Sequence, residues 1–163
     1  MTEGDENVSD ADYPETVVEV LDDNLRFNRA ALQAVREFRK VGPWRGSLDE
    51  RKDKFRRLNR ALSAAYDITE TDLKFGRVDG TISGASHYIP AFHRIVLVGR
   101  LSVVTFLHEF AHARGMGERR AARWSVNLFR RCFPRQFSRL IHRGHMLVRP
   151  EEAVADRIPK CAN

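Results

Sequence analysis

The chain is poor in sulfur and has no long apolar run. Its 163 residues include two cysteines, Cys132 and Cys161, and neither lies in a CxxC pair. Two cysteines cannot build a disulfide framework, so the expectation is a reduced, intracellular protein. No stretch approaches the roughly 20 apolar residues of a membrane-spanning helix, and the first residues lack the basic, then apolar, layout of a secretory signal. Internal repeats and zinc-finger spacings are missing, and no helix-turn-helix is apparent. Aromatic residues do not interleave with basic ones as in a single-strand nucleic-acid platform. Lys and Arg are absent from residues 1–25, which hold nine Asp or Glu. The net charge is +6, so the rest of the chain carries about +15, mostly as Arg. Such a body can attract an acidic protein, weak nucleic-acid contact through its Arg-rich surface, or the acidic N-terminus itself. Charge runs are also commonly plain solvated faces.

The length suits one domain with a real core. Residues 1–11 read as a disordered acidic leader, 12–145 as a single domain, and 146–163 as an irregular tail. A first helical stretch is expected near Pro14, with Val17, Val18 and Leu21 on one side. Asn28 can cap or interrupt it before Leu32, Val35 and Phe38 continue the stripe. Ser47-Leu-Asp-Glu50 is a capping-box start for a helix carrying Phe55, Leu58 and Leu62. Residues 73–98 are rich in β-formers and punctuated by Asp79-Gly80, Ser83-Gly84 and Pro90, predicting strands near 73–78, 84–89 and 93–98. Two more helices follow, from Ser102 to about Arg114 and over about 118–132, with Pro134 closing the second or opening another. The expected class is therefore α+β: N-terminal helices, a small mainly antiparallel sheet, then two consecutive helices.

Residues 108–112 read His-Glu-Phe-Ala-His. Four apart on a helix, His108 and His112 share one face and can offer two neutral imidazoles to one metal ion, with Glu109 beside them as a general base. Val103, Phe106, Phe110 and Ala113 fall opposite, and Leu107 and Ala111 widen the apolar arc. A helix buried on so many sides needs a reason for a polar stripe, because an unpaired buried polar group costs about 1–3 kcal/mol. Zinc is the implied ion.

Catalytic zinc normally takes three protein ligands. Glu118, six residues after His112, leads a helix face shared by Ala121, Ala122, Ser125, Phe129 and Cys132. Arg119, Arg120, Arg123, Arg130 and Arg131 take the other side. An ordinary first-turn glutamate, favoured by the helix dipole, would be at home among those arginines; Glu118 instead sits on the apolar side. His142 and His145 are rival third ligands if the C-terminal segment folds back. His87 and His93 flank a strand and are given no chemical role.

The run from Phe106 to Pro134 resembles the ImmA/IrrE-type metallopeptidases, a gluzincin-like group within the zincins. The matching elements are His108–His112, then Glu118-x-x-Ala121-x-x-Trp124-Ser125-x-x-Leu128-Phe129, then Pro134; Ser86-His-Tyr-Ile and Arg94-Ile-Val-Leu are similar to the zincin edge strand and its neighbour. The resemblance implies a zincin-like fold with His108, His112 and Glu118 as zinc ligands and Glu109 as the catalytic base. It covers about residues 84–134, and the first 70 residues match no family pattern. Only five residues separate His112 from Glu118, fewer than that family's usual connection. The spacing through Gly115 to Glu118 also resembles metzincins, but no turn pattern surrounds Met146.

The implied reaction is hydrolysis of a protein or peptide substrate by zinc-bound water. Glu109 would take the water's proton and pass it to the leaving amine. The strand near Gly84–Ile89, with Tyr88, is the expected substrate-binding edge, since backbone pairing needs no particular side chains. Tyr88, His142 and His145 are candidate oxyanion partners. The substrate class expected from the resemblance is an intracellular protein such as a repressor. Alternatives are an SprT-like protease acting on DNA-bound protein, and a regulator that keeps zinc for folding alone. Glu109 speaks against the last, because a structural site has no use for it.

Overall fold

The computed structural model describes residues 20–76, 86–143 and 146–148. The expected leader, most of the first helical stretch, Gly84, His145 and residues 149–163 lie outside them. Helix α1 spans Arg29–Lys40 and α2 spans Leu48–Ala65. Asn28 caps α1, its Oδ1 accepting from the backbone N–H of Ala30 at 2.8 Å and of Ala31 at 3.2 Å. Its Nδ2 donates to Ala65 O at 3.0 Å, which ties the start of α1 to the end of α2. The Ser47–Glu50 capping box forms as its spacing predicts, satisfying two of the first donors of α2.

Strand β1 (Asp72–Gly76), β2 (His87–Ile89) and β3 (Arg94–Val98) form one sheet in the order β1-β3-β2. β1 runs parallel to β3 over five pairs, from Asp72↔Arg94 to Gly76↔Val98, while β2 runs antiparallel to it. The sheet is thus mixed, where a mainly antiparallel one was expected. The physical reason is that β3 takes the centre: β2 turns back into it through the 3-10 turn Pro90–Phe92, leaving β1 the far edge. Period-2 patterning marks a strand but not its direction. His93, at φ 47, closes that turn: Tyr88 Oη donates to its Nδ1 at 2.9 Å, and its Nε2 donates to Thr69 O at 2.7 Å.

Helices α3 (Val103–Ala113), α4 (Glu118–Cys132) and α5 (Pro134–Ser138) follow, the last opened by Pro134. A hairpin of β4 (Ile141–Arg143) and β5 (Met146–Val148) ends the described chain, so 146–148 is paired strand where an irregular tail was expected. Among the described residues no helix is long and apolar enough to cross a membrane. One core unites α1–α4 and the sheet. It runs as edge-on ring contacts from Phe38 to Phe55 at 5.1 Å and from Phe55 to Phe106 at 5.7 Å, then as a tilted contact from Phe106 to Phe110 at 6.2 Å. Phe55, Phe106 and Phe110 are fully buried. This ladder holds the back of α3, so its opposite stripe is presented in a fixed orientation.

Phe106→Ala is expected to cost about 3–5 kcal/mol, seen as a lower denaturant midpoint at unchanged slope. A loss below about 1 kcal/mol would show that the site could re-pack and that the ladder does not hold α3.

Candidate metal centre

Helix α3 begins at Ser102, whose Oγ accepts from Thr105 N at 3.3 Å. Val103, Phe106, Leu107, Phe110 and Ala111 are buried, so the helix is enclosed on most sides and its His/Glu stripe alone is polar. It ends in a Schellman motif: Met116 N–H donates to Ala111 O at 3.1 Å and Gly115 N–H to His112 O at 2.8 Å. Gly115 adopts φ +84, and a Cβ there would meet no atom within 4 Å. The glycine is therefore favoured by backbone conformation, not by lack of space. Arg114, the C-cap, lies over the Tyr66 ring at 3.4 Å, fastening this turn to the end of α2.

That reversal delivers Glu118, the first residue of α4, back to the histidines. His108 Nε2 and His112 Nε2 stand 3.1 Å apart, and the Glu118 carboxylate lies 3.1 Å from the first and 3.2 Å from the second. Among the described residues, these three form a group of potential metal ligands whose donor atoms lie within 4.8 Å of one another. Donors at ordinary zinc distances in a tetrahedron stand about 3.3 Å apart, so the triangle is of metal-holding size. Tautomer fits as well. His112 Nδ1 donates to Met116 O at 2.8 Å, which leaves Nε2 with its lone pair turned into the triangle. The same turn that ends α3 thus supplies the partner that orients the His112 ring, a feature the sequence pattern did not flag.

Glu109 is 8% exposed. Burial pushes its carboxyl up to about 7; the neighbouring charge of Glu118 adds to this, while His112, His87 and the backbone N–H of Tyr88 oppose it. β2 therefore runs beside Glu109, with the Tyr88 N–H facing the carboxylate. The Tyr88 side chain itself packs toward the core and gives its hydroxyl to His93. What β2 brings to the site is backbone at Tyr88 and the neighbouring His87, a residue given no role from the sequence. His142 sits in β4, opposite Leu147; Gly84 and His145 lie outside the described residues.

The wheel drawn for α4 holds: Ala121, Ala122, Ser125, Phe129 and Cys132 are buried. Val126 and Asn127 are buried too, because the segment before α1 lies across them. Asn127 Oδ1 accepts from Asp22 N at 2.9 Å, and its Nδ2 donates to Val20 O at 2.6 Å. Asp22 pairs with Arg123, which holds its carboxyl below the usual range, and Asp23 pairs with Arg130. Part of the arginine face is thus answered by the chain's own acidic residues.

No protein-family model, curated protein or solved structure matches the chain. Glu118→Ala is expected to reduce zinc per chain sharply when metal content is measured after gel filtration. Retained zinc in that variant, lost instead on His142→Ala or His145→Ala, would move the third ligand to a histidine. Gly115→Ala strains the turn by about 1 kcal/mol. By displacing the Met116 carbonyl it should also weaken zinc affinity by about tenfold or more, measured by chelator competition. Unchanged affinity would show that the carbonyl does not orient His112.

Proposed function

We propose that the chain is a zinc-dependent metallopeptidase of zincin-like arrangement, hydrolysing peptide bonds in a protein substrate. The observation that carries this reading is the compact triangle of His108, His112 and Glu118 with the buried carboxyl of Glu109 next to it. A structural metal site has no need of a fourth, proton-exchanging group in that position. The likeness of residues 106–134 to ImmA/IrrE-type metallopeptidases points the same way.

Zinc held there would polarise a substrate carbonyl and lower the pKa of water towards neutrality. The remaining work falls to the chain. Glu109, with its carboxyl raised to about 7 by burial, can accept a proton from water and return one to a leaving amine near neutral pH. Its position one residue from His108 fixes it on the same helix as two ligands, so base and ligands cannot drift apart. β2 pairs with β3 along one side and, among the described residues, no strand pairs with its other side, toward which an extended peptide could add. The His87–Ile89 backbone would then align the scissile bond near Glu109. Nothing favours the DNA-associated alternative as strongly, since Asp22 and Asp23 already occupy Arg123 and Arg130.

The test is Glu109→Gln, which keeps shape and hydrogen-bonding capacity but cannot act as a base. Fold and zinc content should persist while cleavage of a casein or peptide-library substrate falls by at least about a hundredfold. Cleavage at the wild-type rate would overturn the mechanism.

A further inference from the structure

Among the described residues four large apolar side chains stand exposed, and three of them fall within eight residues: Val41 at 51%, Trp44 at 41% and Leu48 at 53%. They mark the connection between α1 and α2. Asn28, at the start of α1, is bonded to the last residue of α2, so the helices run antiparallel and this connection forms the opposite end of the pair. A loop such as Gly42-Pro-Trp-Arg-Gly46 ordinarily leaves its carbonyls to water. Here they are met from within. Lys54 Nζ donates to Gly42 O at 2.9 Å and to Arg45 O at 2.8 Å, and Arg51 Nε donates to Pro43 O at 3.3 Å. The Gly42 N–H donates to Arg39 O at 3.1 Å, and the Ser47 N–H to the Glu50 carboxylate at 2.6 Å. The loop is thus held in one shape, and much of its backbone can leave water without losing hydrogen-bond partners.

Beside it lies a hollow of about 420 Å³ lined by Arg45, Gly46, Glu50, Asp53, Lys54 and Arg57. Its two acids are already engaged: Glu50 caps α2 and Asp53 pairs with Arg56 at 2.6 Å. Arg45 and Arg57 have no carboxylate partner among the described residues. The hollow is therefore left cationic and suits a phosphate, which a guanidinium meets with paired N–H donors. Apolar side chains beside phosphate-binding cations match a bilayer interface, where the acyl boundary and the lipid phosphates lie at neighbouring depths. We propose that residues 41–48 dock on the anionic phospholipid surface of a membrane. Val41, Trp44 and Leu48 enter the headgroup layer, and Arg45 and Arg57 meet lipid phosphates. An acidic protein would need a groove shaped to three separate projecting side chains; a fluid bilayer moulds itself to them. The net charge of +6 favours an anionic leaflet. Trp44 rests edge-on against Phe133, just past the end of α4, whereas Glu118 opens that helix. The metal centre is therefore roughly 20 Å along α4 from the docking loop.

The test uses the full-length chain and does not depend on the metal. Vesicles of phosphatidylcholine alone, or of phosphatidylcholine with phosphatidylserine, are mixed with the protein; flotation and tryptophan emission are measured. Trp124 is 6% exposed in the core, so Trp44 dominates any change in emission. Binding should require phosphatidylserine, and emission should shift to the blue as Trp44 leaves water. Trp44→Phe should abolish that shift. Leu48→Gln, at an exposed position, and the paired change Arg45→Gln with Arg57→Gln should each weaken binding by about tenfold or more at an unchanged Tm. Binding without a blue shift, or binding that Leu48→Gln leaves unchanged, would overturn the docking surface and leave general attraction of a basic chain. Failure to bind either vesicle would overturn it as well. Self-association of the chain that is lost on Leu48→Gln would then reassign the loop to a contact between two copies.

Discussion

Two imidazoles and a carboxylate meet within a 3.1–3.2 Å triangle because the chain reverses between α3 and α4 in four residues. That reversal is the constraint on which the rest of the arrangement depends. Gly115 takes the left-handed conformation, the Schellman bonds close the last turn of α3, and the freed Met116 carbonyl is set against His112. A longer connection would let Glu118 wander and would put the burden of orientation on side-chain packing alone. Here backbone hydrogen bonds, which cannot change partner without unwinding a helix end, fix two of the three donors relative to one another.

Three other features make that turn rigid. The phenylalanine ladder from α1 and α2 fills the back of α3, so the His/Glu stripe cannot rotate away without opening the core. Arg114 lies over Tyr66 and ties the turn to α2. The arm from Val20 to Phe27 covers α4 from outside, its backbone clamped by Asn127 and its acidic side chains paired with arginines. Those exposed ion pairs contribute little stability singly; surface pairs are typically worth under about 1 kcal/mol. Their importance is positional: they hold the segment around Asp22 and Asp23 against α4.

Local signals were legible in the sequence. Ser47, Ser102, Gly115 and Pro134 punctuate the helices where their chemistry says they should, and the apolar arc around His108–His112 announces a helix buried on all but one stripe. Glu118 could be placed on the inward face from the small residues that follow it. What depends on partners distant in sequence was not legible. Strand direction was one such property, since patterning is blind to whether β1 meets β3 head to head or head to tail. The arm across α4 was another: Asn127 reads as an ordinary polar helical residue until Val20 and Asp22, more than 100 residues earlier, are brought to it. Likewise, the approach of the Tyr88 backbone and His87 to Glu109 follows from how β2 docks beside α3, which no local pattern encodes.

The account stands on the identity of the three donors, and X-ray absorption at the zinc edge of the loaded full-length protein reads them directly. It should show one zinc in a low-coordinate shell of nitrogen and oxygen at about 2.0–2.1 Å, with the outer-shell scattering of two imidazoles. A sulfur shell near 2.3 Å, or an imidazole count other than two, would contradict the centre described here.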